Sequence, residues 1–136
     1  MSRLMIVLTS KELLNEITKR RKALNVDAVS LSVVSDVSLK FISQLENGKK
    51  TVEVAPLLRV THSLGIKIPL LDEPIALGRL ILANRKEMGI DQITAAGMCG
   101  ISPRLLSTIE RGEPRKRLDK LFSVIEGFGI PVEIIV

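Results

Sequence analysis

The chain has 136 residues, 46% of them apolar and 26% charged, which suffices for a packed core and excludes global disorder. A net charge of +5 favours an anionic partner, whether nucleic acid, an acidic protein or a membrane surface. A single cysteine and a single histidine exclude an intrachain disulfide and a structural zinc site, and without Trp or Tyr the chain lacks aromatic platforms for single-stranded bases.

In chain order, the apolar run "RLMIVL" at 3–8 is too short for a signal sequence and reads as a strand. "TSKE" at 9–12 is a capping box, opening a helix with Leu13, Leu14, Ile17 and Leu24 on one face. Asp27 caps a short helix through Val34. Ser38 caps another, with Phe41, Ile42 and Leu45 inside and Gly48 as its stop. Pro56 suits the first turn of a helix ending at Gly65, with His62 as a partly exposed residue on it. "IKIPLLDEP" at 66–74 reads as a linker. Further helices are predicted near 75–88, from Asp91 to Met98, from Ser102 to Glu110 and from Arg115 to Phe128. Cys99 reads as a small buried hydrophobe. "PVEIIV" at 131–136 is a second strand. A lone strand leaves its backbone unsatisfied, so the two ends pair with each other or with another chain. No run is long enough to cross a membrane.

The chain repeats itself at a shift of 64 positions without a gap. Ile17, Arg21, Lys22, Asp27, Ser38, Ser43, Glu46 and Gly48 meet Ile81, Arg85, Lys86, Asp91, Ser102, Ser107, Glu110 and Gly112. Leu24, Val26, Val37, Ile42 and Leu45 meet apolar partners, and Gly65-Ile66 meets Gly129-Ile130. Apolar, capping and turn positions recur together, so the chain is two copies of one unit.

Within each copy two short helices meet at a tight turn. In the second copy Gly100 suits a positive φ, Ile101 locks the turn into the core, Ser102 caps the next helix and Pro103 occupies its first turn. Leu105, Leu106 and Ile109 face inward. Pro103, Arg104, Ser107, Thr108 and Arg111 form an outer face that is small, polar and basic, and such a helix can enter a major groove.

The stretch from Gly78 to Gly112 resembles the Cro/C1-type helix-turn-helix family, also called the Xre family. The matching features are Arg85-Lys86, Gly89-Ile90, Gln92, Ala96, Gly100-Ile101-Ser102, Ser107 and Glu110 with Gly112. The resemblance covers about 77–130 and more loosely 13–66. The closing "GIPVEIIV" is similar to HipB-type antitoxin repressors, whose chains end in a strand used in dimerisation. It implies a mainly all-α fold: two tandem lambda-repressor-like units, 1–68 with an N-terminal strand and 69–136 with a C-terminal strand. It also implies roles. Gln92 would hold a phosphate and brace the recognition helix, which begins at Ser102. Pro103, Arg104, Ser107 and Thr108 would face bases. Glu110 would pair with an arginine such as Arg85. Arg111, Arg115, Lys116 and Arg117 would touch the backbone, the alternative being an ordinary solvated basic face.

The first copy departs from the pattern, with Ala28 for the glutamine, Ser32 for the alanine and Asp36 for the turn glycine. Its helix beginning at Ser38 still carries Leu39, Lys40, Ser43, Gln44 and Asn47, followed by Lys49 and Lys50, and these are its predicted DNA contacts. Residues 1–72 hold a charge of +4 and 73–136 only +1. Both copies are therefore expected to touch DNA; the rival is that the first is a dimerisation or partner-binding unit. The expected function is sequence-specific binding of double-stranded DNA in transcription regulation, as a repressor. The alternative is an antitoxin that binds a toxin protein and its own operator. A homodimer is expected, in the cytoplasm of a bacterium or phage host, at the nucleoid. No nucleophile-base arrangement and no Gly-rich phosphate loop is present, so no catalytic residue, cofactor or metal is expected.

Overall fold

The computed structural model describes residues 3–114 and 116–136. The elements follow the order β1 (Leu4–Val7), α1 (Ser10–Ala23), α2 (Ala28–Ser35), α3 (Leu39–Glu46), α4 (Val54–Ser63), α5 (Pro69–Asp72), α6 (Pro74–Glu87), α7 (Gln92–Cys99), α8 (Pro103–Glu110), α9 (Leu118–Gly127) and β2 (Val132–Ile135). The fold is mainly helical with two short terminal strands.

The repeat survives folding residue by residue. Adding 64 to both ends of α1, α2, α3 and α4 gives the ends of α6, α7, α8 and α9. Positive φ recurs at the same spacing of 64, at Asn25 and Gly89, Asp36 and Gly100, Gly48 and Gly112, and Gly65 and Gly129. The caps explain why. Thr9 accepts from the Glu12 amide at 3.1 Å as the predicted cap, and the Glu12 carboxylate reaches back one residue past the cap to accept from the Leu8 amide at 3.1 Å. Asp27, Ser38, Asp91 and Ser102 each accept from the backbone amide three residues on.

Both halves contribute to one apolar core. Leu13, Ile17, Ile42, Leu57 and Val60 in the first and Leu77, Ile81, Leu106, Phe122 and Ile125 in the second are at most 3% exposed. Each fully buried Leu, Ile or Phe contributes about 1.5–3 kcal/mol relative to exposure. The terminal strands pair with each other, antiparallel, with Leu4 opposite Ile135 and Val7 opposite Val132. Arg3 and Val136 extend the ladder by exchanging bonds of 2.7 and 2.9 Å.

Three predicted elements differ. The segment 66–74 is ordered structure, not a linker. The Lys67 and Ile135 backbones exchange two bonds of 2.8 Å, Pro69 opens α5, and Ile66, Ile68 and Leu71 are buried. The last helix starts at Leu118 instead of Arg115, because the residues before it pair with 52–54. The fourth starts at Val54, two residues ahead of Pro56, for the same reason. His62 is exposed as expected, its Nε2 lying 2.7 Å from Asp72 Oδ1. Cys99 is half-buried, and burial raises its thiol pKa. Among the described residues, no single helix is long and apolar enough to cross a membrane.

Candidate nucleic-acid interface

α7 and α8 make the tight bend their sequence requires. Gly100 takes φ 70° at the end of α7, and the Ile101 amide donates to the Ala96 carbonyl at 3.0 Å. Asp36 takes φ 55° at the equivalent turn, a conformation costing a non-glycine residue about 1–2 kcal/mol. Arg59 offsets that cost in part. Its Nε and Nη2 donate to the Ser35 and Asp36 carbonyls, both at 3.2 Å, so a cation sits on the α2 C-terminus. Ser123 occupies the equivalent position in the second half, so the repeat gave no hint of this clamp.

A polar network holds α8 against α6 and α7. Arg85 Nε and Nη2 donate to the two Glu110 oxygens at 2.8 and 3.0 Å, and Gln92 Nε2 donates to Glu110 Oε1 at 3.0 Å. The Glu110 side chain is 5% exposed. Burial by itself raises its carboxyl pKa. The hydrogen bonds from Arg85 and Gln92, with the Arg85 charge, outweigh that and hold it below its ordinary value. In the first half Arg21 pairs with Glu46 in the same fork, Nη2 lying 2.9 Å from Oε2, but Ala28 supplies no third partner. At the N-termini of the turn helices, hydrogen bonds from Ser30 and Thr94 hold Asp27 and Asp91 below the usual carboxylate range.

The predicted contact residues fall into two groups. Ser102, Pro103 and Arg104 are exposed at the start of α8, with Leu106 and Ile109 buried behind them. Ser107 and Thr108 are half-buried one turn on. Ser107 Oγ accepts from Arg111 Nη1 at 2.8 Å, and Thr108 Oγ1 donates back to the Leu105 carbonyl at 2.8 Å. On α3, Leu39, Lys40 and Ser43 are exposed beside Ser38 and Gln44 is half-buried, with Asn47 exposed just past the helix end. Lys49 and Lys50 follow, also exposed. The basic cluster after α8 is different: Arg111 binds Glu113 at 3.0 Å and Arg117 binds Asp119 at 2.6 Å. The Lys116 side chain is 16% exposed, with Glu113 4.0 Å away. Arg115 lies outside the described residues. Lys40, Lys49, Lys50 and Arg104 join no ion pair among the described residues.

A helix-turn-helix family profile matches residues 81–135, from inside α6 to the end of β2. This segment is thus similar to helix-turn-helix units, in line with the Cro/C1-type resemblance of its motif residues. Within it α7 and α8 are the two helices of the motif, and the Arg85–Glu110–Gln92 network joins them. The unit recurs as α1–α4, element for element, at the shift of 64. A relative in Sinorhizobium fredii, an uncharacterized HTH-type transcriptional regulator named y4mF, is 29% identical over 62 residues, which is 46% of this chain and 82% of the relative. No solved structure matches the chain.

Proposed function

We propose that the chain is a DNA-binding transcriptional regulator that represses by occupying its operator, with units 1–68 and 69–136 each presenting one reading helix. The observation that carries this is the pairing of a fixed scaffold with a free face: buried partners lock α8, while Pro103 and Arg104 stand exposed and unpaired at its start. Arg104 reads a guanine edge from this position, with Ser107 and Thr108 beside it, and Lys40, Ser43 and Gln44 do the same work on α3. The Gln92 amide, already anchored on Glu110, has a second N–H for a phosphate oxygen. Lys49 and Lys50 are the strongest candidates for phosphate contacts, since Arg111, Lys116 and Arg117 all lie beside carboxylates. A reducing bacterial cytoplasm suits a chain with one free, half-buried thiol.

Selection from random duplexes, followed by titration, tests this. Arg104→Ala is expected to lose about 1–3 kcal/mol of operator affinity and to relax preference at one position. Lys49→Ala with Lys50→Ala should instead weaken all sequences alike and flatten the salt dependence by roughly two counterions. A chain that selects no sequence at all is not a regulator of this kind.

An antitoxin role is the second reading. Leu4 and Ile6 on β1 and Leu8 just past its end are each 58% exposed, an apolar stripe suited to a toxin protein. Ile6→Lys should abolish toxin capture in co-expression with the gene adjacent to this one, and leave DNA binding intact.

A further inference from the structure

Besides the paired terminal strands, the two halves touch through a short strand-like seam. Glu53 and Arg117 face each other in an antiparallel bridge, and they are equivalent positions of the repeat, 64 apart. The Val54 amide donates to the Lys116 carbonyl at 2.9 Å, and the Leu118 amide donates to the Val52 carbonyl at 2.8 Å. Replacing every residue by its equivalent turns each of these bonds into the other. Only a two-fold axis through the bridge does this. A residue facing its own counterpart marks an isologous contact, whereas a head-to-tail arrangement would bring unlike surfaces together. The seam therefore relates α3 to α8 as a symmetric dimer relates its two reading helices, within one chain.

The side chains show which halves are meant to meet. Glu53 stands opposite Arg117 in the bridge; the Arg117 guanidinium is held mainly by its hydrogen bond to Asp119 at 2.6 Å, and the Glu53 charge adds a smaller attraction from across the seam. Two first halves would set glutamate against glutamate, and two second halves arginine against arginine. Like charges directly opposite in an antiparallel pair are destabilising. The pairing thus favours one first half with one second half. Reach is adequate too. Seven positions separate Glu46 from Glu53 and Glu110 from Arg117. Such a segment spans up to about 25 Å, against about 17 Å for half of one helical turn of DNA.

We infer that one chain, as a monomer, reads a single inverted repeat with unequal half-sites, one under α8 and the other, in opposite orientation, under α3. This rests on the DNA-reading function proposed above. The half-sites differ because equivalent positions differ: Lys40 for Arg104 and Gln44 for Thr108. Arg and Lys both suit guanine, so Arg104 and Lys40 place a guanine in each half-site, while Gln suits adenine and only the α3 half-site carries an adenine under Gln44.

The full chain is used to select binding sites from random duplex DNA, and the mass of the resulting complex is measured. The expected result is an imperfect inverted repeat bound at one chain per duplex. Three synthetic duplexes then separate the geometries: the selected site, the same site with one half flipped into a direct repeat, and the site with its halves moved apart by five base pairs. Flipping or moving one half is expected to lower affinity at least about thirtyfold, since several base contacts are lost together. A selected direct repeat, a single half-site, or two chains on a perfect palindrome overturns the inference while leaving DNA reading in place. Selection of no sequence at all overturns both.

Discussion

Replacing Glu110 by alanine is expected to destabilise the chain by about 3 kcal/mol, lowering the thermal midpoint by roughly 10 °C. The carboxylate receives three hydrogen bonds, two from Arg85 and one from Gln92. Its removal leaves a guanidinium whose side chain is only 13% exposed, together with an amide, facing an apolar methyl. Breaking a buried pair from one side costs about 3–5 kcal/mol because the surviving charge is uncompensated. The low end applies here, since Arg85 Nη1 keeps its bond to the Ile90 carbonyl at 3.2 Å. Glu46→Ala in the first half should cost less. That carboxylate is 23% exposed and has no counterpart of Gln92 to strand. Equal costs for the two variants, measured by denaturant titration, would show that the third partner is irrelevant.

The same group sets an acid limit. Its folded-state pKa lies below the ordinary value of 4.5, so its stabilisation is complete above that value. It is lost as the pH falls through the lowered folded value. Asp119, which accepts from Arg117, and the cap carboxylates Asp27 and Asp91 are shifted the same way. Stability should therefore stay level near neutrality, as far as these groups decide it, and fall in acid below about pH 4. Glu110→Gln should be less stable at pH 7 yet show a shallower acid loss, as the midpoint measured against pH will reveal.

Much of this was legible in the chain because it is local. A capping serine or aspartate needs only the amide three residues on, so Asp27, Ser38, Asp91 and Ser102 announced their helices. The repeat then placed the Arg–Glu pair twice. What stayed hidden depended on distant partners. Ile66 and Ile68 lie just ahead of Pro69 and read as a linker, yet Lys67 between them is ordered by Ile135 at the other end of the chain. The seam at 52–54 and 116–118 is three residues long on each side, too short for any periodicity. The ion pairs of Arg111 and Arg117 stayed hidden because a basic cluster in a sequence shows only its own charge. In a turn, a carboxylate two residues along can fold back onto the guanidinium, as Glu113 does to Arg111 and Asp119 to Arg117.

Gly78→Ala is expected to destabilise the chain by about 2 kcal/mol and to weaken operator binding, against the usual trend for helices. Alanine in a helix interior normally gains about 1 kcal/mol over glycine. At Gly78, inside α6, an added Cβ would lie 2.5 Å from the Glu110 carbonyl oxygen and 2.6 Å from that of Ile109. These are main-chain atoms of the last turn of α8 and cannot swing aside as a side chain could. The two helices must separate by most of an ångström, and overpacking of this kind costs about 1–3 kcal/mol. The displaced helix carries Arg104, so affinity for the selected duplex should fall with stability. The first half confirms that the close approach belongs to the second. Its equivalent residue is Leu14, a full-sized side chain that is 2% exposed between α1 and its neighbours. Gly97→Ala serves as the control. Gly97 lies within α7 with no atom inside 4 Å of the added Cβ, so ordinary helix propensity should prevail and raise the midpoint. If both alanines stabilise, α6 and α8 do not rely on backbone contact to set the angle of the reading helix.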